Sequence, residues 1–183
     1  MQNNGIIRPS QSQWASPLQL VVKKDGTFLP CGDYGRLNAQ TIPDRYPIPR
    51  IDDFQHILKG KNIFSKIDLF KAYFQIPMSE TDKPKTAIIT PFGLFEFNVM
   101  PFGLRNAPST FQRFINDVFR GLDFIFAYLD DCLIASTSIQ EHRKHLEIVF
   151  ERLSKFGLRI NVSKSIIGVE EVEFLGNLIT AEG

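Results

Sequence analysis

A chain of 183 residues with 43% hydrophobic and 22% charged residues has the make-up of an ordinary globular domain with one proper core. Its formal net charge of +1 lacks the strong basicity common in nucleic-acid binders, and no apolar run approaches the ~20 residues of a membrane span. Met1-Gln2-Asn3-Asn4 is polar with no apolar run behind it, so no signal peptide is expected, and the isolated Cys31 and Cys132 point to a reduced, intracellular chain without structural zinc. Phe is over-used, 17 residues against 4 Tyr and 1 Trp, which predicts a core dense in aromatic rings. Residues 14–30 read as a short hairpin, with arms Pro17-Leu18-Gln19-Leu20-Val21-Val22 and Thr27-Phe28-Leu29 about a turn at Lys24-Asp25-Gly26. Pro43, Pro47 and Pro49 keep 41–49 extended or turned. Ile51, Phe54, Ile57 and Leu58 then follow helical spacing, with Asp52-Asp53 in the first turn, where the helix dipole favours acids, and Gly60 as the stop. A strand fits Ile63 to Asp68. One helix carries Phe111, Phe114, Ile115, Val118 and Phe119 on one face and ends at Gly121. Another opens with a capping box, Ser138 to Glu141, buries Leu146, Val149, Phe150 and Leu153, and ends at Gly157. Between these helices, Phe124-Ile125-Phe126-Ala127-Tyr128 and Cys132-Leu133-Ile134-Ala135 flank Leu129-Asp130-Asp131, which predicts a buried hairpin with an acidic tip.

That hairpin carries the chemistry. Burying adjacent carboxylates costs several kcal/mol of solvation unless something compensates, and divalent cations are the usual answer. Magnesium takes oxygen ligands and is commonly held by one or two carboxylates plus substrate phosphates. Two-metal phosphoryl transfer sets its ions roughly 3.5–4 Å apart. Successive strand residues point in different directions, so Asp130 and Asp131 need a third carboxylate from another strand. Asp68, closing the apolar run Phe64-Ser65-Lys66-Ile67, is the candidate. The charge distribution agrees: residues 1–85 carry 12 Lys and Arg against 8 Asp and Glu, and residues 86–183 carry 9 against 12. One half suits phosphates and the other metal ions. His142 and His145 lie three apart around Arg143-Lys144, which is not the His-Glu-x-x-His arrangement, and a solvated face is expected there.

Several ordered blocks resemble a known family. Gly5-Ile6-Ile7-Arg8-Pro9-Ser10, Trp14-Ala15-Ser16-Pro17, Lys23-Lys24-Asp25-Gly26 and Asp44-Arg45-Tyr46-Pro47-Ile48-Pro49 are similar to the opening of a gypsy-type retrotransposon reverse transcriptase. So are Phe64-Ser65-Lys66-Ile67-Asp68-Leu69 with Ala72-Tyr73, Val99-Met100-Pro101-Phe102-Gly103-Leu104-Arg105-Asn106-Ala107-Pro108, Tyr128-Leu129-Asp130-Asp131 and Phe174-Leu175-Gly176. The resemblance implies an α+β fold: a reverse-transcriptase palm, an antiparallel sheet with helices packed on one face, plus partial fingers and no thumb. It places fingers-like stretches near 1–62 and 79–98, and palm stretches near 63–78 and 99–183, in a single domain fragment. A thumb, a connection and an RNase H domain are expected in a full-length relative of this Pol-polyprotein family, without a membrane partner.

The same resemblance implies two Mg2+ ions, replaceable by Mn2+, held by Asp68, Asp130, Asp131 and the Leu69 carbonyl. Lys164 is implied as the group that protonates the leaving pyrophosphate. Tyr73, Phe102 and Gly103 are implied at the deoxynucleoside triphosphate, with Lys23 and Lys24 on its phosphates or on the template backbone. Arg105 is implied near the RNA or DNA template, with Tyr128 and Phe174-Leu175-Gly176 at the primer. The chain departs from the family where an Arg gripping the triphosphate is expected: Phe28 is followed by Leu29, and Asp33-Tyr34 by Gly35, with Arg36 one position later. On a strand, that shift turns the side chain to the other face. The implied function is an RNA- and DNA-directed DNA polymerase core. The alternatives are an inactive remnant that keeps the palm fold and weak nucleic-acid binding, or a metal-dependent nuclease, which leaves Tyr73 and Phe174-Leu175-Gly176 unexplained.

Overall fold

The structure, a computed structural model, describes residues 1–22, 26 and 28–181, the side chains of residues 51 and 52 excepted. In chain order its strands are β1 (Ile7–Pro9), β2 (Ser16–Val22), β3 (Phe28–Gly32), β4 (Ile63–Asp68), β5 (Ile88–Thr90), β6 (Gly93–Phe97), β7 (Ile125–Tyr128), β8 (Asp131–Ser136), β9 (Ile166–Val169), β10 (Val172–Phe174) and β11 (Asn177–Ile179). The α-helices are α1 (Gly35–Gln40), α2 (Gln55–Leu58), α3 (Ala107–Val118) and α4 (Ile139–Lys155). Two compact units result, one of Met1–Arg45 with Tyr73–Pro108, the other of Tyr46–Ala72 with Ser109 onward. These cuts differ from the stretches expected from sequence: residues 46–62 group with the second unit, and 73–78 and 99–108 with the first. No described helix is long and apolar enough to cross a membrane.

The first unit is a five-stranded sheet in the order β1-β6-β5-β2-β3. The expected 14–30 hairpin is β2–β3, paired antiparallel from Leu18↔Gly32 to Val22↔Phe28. Its tip residues Lys23, Lys24, Asp25 and Thr27 lie outside the described residues. Tyr34, Ile88 and Phe97 form the local core, and the Tyr34 hydroxyl donates to the Thr86 carbonyl at 2.9 Å. The β5–β6 hairpin was not anticipated. Its two-residue turn, Pro91-Phe92, is pinned by Thr90, whose hydroxyl donates to the Gly93 carbonyl at 2.9 Å.

The second unit is built on an antiparallel sheet in the order β7-β8-β4-β9. Period-two alternation sorts its residues onto two faces. On one face, Ser65 and Ser136 bond His142 of α4, at 2.6 Å and 2.7 Å. On the other, Phe64, Phe126, Leu133 and Ala135 join Phe54, Ile57 and Leu58 and the β10–β11 residues Val172, Phe174 and Ile179 in one buried apolar cluster. Three of its rings meet edge-on, Phe54–Phe174 at 5.7 Å, Phe54–Phe126 at 6.0 Å and Phe126–Phe174 at 6.2 Å. The α+β expectation and the aromatic core therefore hold. The helix expected after Pro49 is shorter than its spacing suggested, a 3-10 turn over Ile51–Phe54 and then one turn of α2.

Helix α4 is capped as expected at one end of the box and differently at the other. Ser138 Oγ accepts from the Glu141 N–H at 3.2 Å, while the Glu141 carboxylate reaches back one residue further, to the Thr137 N–H and hydroxyl. Its buried stripe is also corrected. Phe150 is 39% exposed, and His142 joins Val149 and Leu153 inside at 2% exposure. The expected solvated histidine face is thus overturned. His142 bonds both serines, and the half-buried His145 stacks on Phe124 with ring centroids 3.7 Å apart. The reason is that Ser65 and Ser136 put hydroxyls on the sheet face under α4, and an imidazole can satisfy both.

Candidate active site

β4 and β8 run antiparallel from Ile63↔Ser136 to Asp68↔Asp131, so Asp68 and Asp131 stand directly opposite each other. Tyr128 pairs with Asp131 across β7–β8. Asp68, Asp131, Lys66, Tyr128, Phe126 and Leu133 consequently share one sheet face, the acidic end continuing the apolar cluster beneath it. Between Tyr128 and Asp131, Leu129 and Asp130 form a two-residue turn. Leu129 has φ 50°, and Asp130 is not among the positive-φ residues, the sign pattern of a type II′ turn. The Asp130 carbonyl accepts from the Leu69 N–H at 2.8 Å, tying the turn to the end of β4.

The acidic tip is less buried than the sequence suggested: Asp130 is exposed at the turn and Asp131 half-buried. Solvent therefore supplies part of the compensation. Lys66 supplies more, its Nζ lying 3.4 Å from Asp131 Oδ1. The protein side of the site still disfavours negative charge. Burial pushes the Asp68 carboxyl above its ordinary value and Asp131 adds to the rise, while Lys164, the Asn161 side chain and Lys66 pull it back. Asp130 is also raised, first because its carboxyl is shielded on the protein side and then through Asp131 and Asp68; its own backbone hydrogen bond and Lys164 oppose this.

Lys164, on an exposed 3-10 turn over Val162–Lys164, thus acts on both Asp68 and Asp130 through its charge. Two residues that the sequence reading missed hold that turn in place. The Asn161 N–H donates to the Asp68 carbonyl at 2.7 Å, and its side chain favours the ionised form of the Asp68 carboxyl. Ser165 Oγ accepts from the Asp68 N–H at 3.1 Å and donates to the Asn161 carbonyl at 2.8 Å. Asn-x-x-Lys-Ser after a helix carried no local signal for this, because the clip exists only through pairing with β4.

Among the described residues no group of three or more His, Cys, Asp or Glu side chains is gathered to hold a metal ion, so the three-carboxylate set expected from sequence does not come together as one cluster here. Mg2+ is typically held by one or two carboxylates with waters and substrate phosphates. Asp68 and Asp130 are hard oxygen donors whose charge the fold leaves partly uncompensated, and such a set fits a divalent cation.

The remaining expected residues lie elsewhere. Phe174 is fully buried in the aromatic cluster, so its ring is a core element and not a contact surface. The residues after it form the β10–β11 turn, Leu175 at φ 50° and Gly176 at φ 81°. Tyr73, Phe102, Gly103 and Arg105 belong to the first unit. Tyr73 and Phe102 have ring centroids 5.1 Å apart, and Phe74 meets Phe102 edge-on at 5.3 Å. Gly103, at φ 92°, passes so close to Gly32 and Tyr34 that a Cβ would lie 3.3 Å from the Gly32 carbonyl. Asn38 organises this loop, donating to the Gly103 carbonyl at 2.8 Å and accepting from the Arg105 N–H at 2.8 Å. Arg36 is exposed on α1, not on a strand as expected, because the chain turns at Asp33, whose Oδ1 accepts from the Gly35 N–H at 3.1 Å. Leu29 is half-buried in β3, opposite Val21.

Residues 21–179 match the family described as reverse transcriptase (RNA-dependent DNA polymerase). The chain belongs to the reverse transcriptase family. It is 42% identical over 190 residues to the Retrovirus-related Pol polyprotein from transposon 297 of Drosophila melanogaster, covering 100% of this chain and 18% of that protein. With the Transposon Tf2-3 polyprotein of Schizosaccharomyces pombe it shares 38% over 182 residues, 98% of this chain and 14% of the polyprotein. It therefore spans under a fifth of these curated relatives, and their transposon origin bears out the gypsy-type resemblance. Among solved structures, a foamy viral protease–reverse transcriptase in complex with double-stranded DNA superposes with a TM-score of 0.94 at 26% identity, over 100% of this chain and 32% of that one. The same viral protein in complex with an RNA/DNA hybrid gives 0.92 at 25%, over 100% and 25%. Reverse transcriptases generally use divalent metal ions.

Proposed function

We propose that this chain is the polymerase core of a retrotransposon reverse transcriptase, adding deoxynucleotides to a primer 3′-hydroxyl on an RNA or DNA template. The observation that carries this reading is the register Asp68↔Asp131, with Asp130 in the adjoining turn and the Lys164 charge acting on Asp68 and Asp130. Asp68, Asp130 and Asp131, with the Leu69 carbonyl, are the groups assigned to hold two Mg2+ ions, or Mn2+ in their place. Such ions, when bound, neutralise charge on the attacking and leaving oxygens of an in-line displacement. Lys164 is assigned to deliver a proton to the departing pyrophosphate; its exposed position lets solvent recharge it.

The other assignments follow the chemistry of each group. The half-buried Tyr73 ring, braced by Phe102, is a rigid surface suited to a deoxyribose and crowded against a 2′-hydroxyl. Gly103 lets the backbone approach closely, and Arg105 offers a guanidinium to a template phosphate. The β10–β11 turn presents main chain at Leu175–Gly176 to the primer, with Phe174 as its anchor. Lys23 and Lys24 are assigned to phosphates on charge alone. The reverse-transcriptase complexes with DNA and with an RNA/DNA hybrid support nucleic acid as the partner here. We assign residues 1–45 and 73–108 to the fingers and the second unit to the palm, on the strength of the acidic sheet face in the latter.

Primer extension on an RNA template with Mg2+ tests the reading, with Asp130→Asn as the comparison. Incorporation by the wild type and loss of at least a hundredfold in the variant is the expected result; equal incorporation by both defeats the assignment. A second reading rests on Leu29, which places an apolar, half-buried side chain where the family's triphosphate-gripping Arg is expected. It describes a remnant that binds primer–template in a salt-sensitive way and incorporates nothing with either metal.

A further inference from the structure

Gln112 lies in α3 with none of its surface exposed. Its side-chain amide grips the main chain of the acidic hairpin at two points. Nε2 donates to the Ala127 carbonyl at 2.9 Å, and Oε1 accepts from the Leu129 N–H at 2.8 Å. These groups flank Tyr128 on β7, which is the edge strand of its sheet. A primary amide presents both a donor and an acceptor, as a neighbouring strand's peptide would, so Gln112 satisfies two main-chain groups at this strand edge. Nε2 also donates to Asn116 Oδ1 at 2.9 Å, and Asn116 Nδ2 donates to the Tyr46 hydroxyl at 2.8 Å. The Arg113 guanidinium covers the Tyr46 ring 4.7 Å from its centroid. The grip is thus backed by a second layer that fixes the amide's own orientation.

The gripped N–H belongs to Leu129, a residue at φ 50° that L side chains disfavour. Its conformation decides where the next side chain, Asp130, points. From this we infer that Gln112 is a positioning residue for the acidic turn, holding Leu129 in its left-handed conformation so that Asp130 faces the ground shared with Asp68. The inference rests on the polymerase reading of that site and adds to it a residue on α3 that never touches metal or substrate. A Gln on a stripe otherwise made of Phe111, Ile115 and Phe119 is a costly choice for packing alone, since Leu or Met fill the same space without a buried amide to satisfy.

The test compares the full chain carrying Gln112→Met, Gln112→Glu or Val118→Ala with the wild type. Gln112→Met keeps the shape and removes both bonds, while Gln112→Glu keeps the acceptor for Leu129 and loses the donor to Ala127. Val118→Ala opens a cavity in the same helix away from the turn. Binding of Mn2+ alone is titrated by electron paramagnetic resonance, hydrogen exchange is read at the Leu129 amide, and kcat and KM are measured by primer extension. Gln112→Met is expected to weaken Mn2+ binding about tenfold, in the range seen when partners orienting metal ligands are removed. It should also speed exchange at Leu129 and lower kcat with nucleotide KM within about twofold of wild type, with Gln112→Glu intermediate on each measure. Val118→Ala should leave Mn2+ affinity unchanged despite an equal or larger loss of urea stability. Wild-type Mn2+ affinity and kcat in Gln112→Met overturns the inference, as does a fall in affinity that tracks stability across all three variants. A wild-type chain that neither binds Mn2+ nor extends a primer defeats the site reading itself and this inference with it.

Discussion

Replacing Phe174 by Ala separates two roles for the same residue. By resemblance it belongs to a primer-positioning segment; in the fold its ring is fully buried, edge-on to Phe54 at 5.7 Å and to Phe126 at 6.2 Å. Truncating a buried Phe to Ala costs about 3–5 kcal/mol, through lost transfer energy and the cavity left behind. Two edge-to-face ring pairs, each worth ~0.5–1.5 kcal/mol beyond area, put Phe174 toward the upper end of that range. For a domain of this size a change of that order lowers Tm by roughly 6–20 °C, at about 2–4 °C per kcal/mol. Urea unfolding followed by circular dichroism measures the loss directly. Leu178→Ala is the control: it lies on the same hairpin, is 61% exposed, and should shift stability by no more than about 0.5 kcal/mol. A Phe174→Ala chain that unfolds at the wild-type urea concentration, yet loses primer–template affinity, would refute the core assignment.

Two further expectations concern charge. The carboxyl of Asp130 is held above its ordinary value, so its contribution to stability is present when protonated and is lost as pH rises through the folded value. Asp130→Asn should therefore raise the urea midpoint at pH 7 in metal-free buffer and lose that advantage below the ordinary value of 3.8; a variant less stable than wild type at pH 7 contradicts the reasoning. His142 is shifted the other way, its imidazole held low by burial and then by His145, against Glu141. Its contribution is full above the unfolded value of 6.5 and falls away as pH drops toward the folded one. Between pH 7.5 and 5 the wild type should lose more stability than His142→Gln, and parallel pH curves for the two would remove His142 as the cause.

The strongest periodic signals carried through to the fold. β4, the β7–β8 hairpin, α3 and α4 lie where alternation and helical spacing put them, because their apolar faces are dictated by burial against one sheet. Asp68 was legible for a related reason: a carboxylate that closes an apolar strand has few structural uses. What was not legible depends on contacts between distant segments. That Asp68 stands opposite Asp131 is a matter of β4–β8 register, and that the Lys164 charge acts on Asp68 and Asp130 follows from the Asn161–Ser165 clip on β4. Gln112 and His142 did leave a trace, as polar side chains on otherwise buried helical stripes. Reading His142 as solvated failed because its partners, Ser65 and Ser136, sit on strands whose facing could not be known before the register was. The β5–β6 turn, with Pro91 leading and Gly93 closing, has a signature in residue chemistry, but its flanking segments are less apolar than those of the β7–β8 hairpin.

The two turns that matter most share a physical problem. Leu129 and Leu175 both adopt φ 50°, each a non-glycine residue in a region that costs about 1–3 kcal/mol unless its surroundings over-determine it. Neither turn contains the Asn-Gly or Gly-led pair that would make such a hairpin easy. At Leu129 the constraint comes from Gln112, from the Leu69 N–H on the Asp130 carbonyl, and from Tyr128, one residue before it, which packs on the cluster that holds Phe126. At Leu175 it comes from Phe174, one residue before, and from Leu175 packing on the same cluster. Phe126 and Phe174 touch, so one buried set of rings fixes both strained turns. The aromatic core is therefore more than a source of stability. It transmits one set of positions to the carboxylates and to the turn assigned to the primer, and a change at the rings must disturb both together.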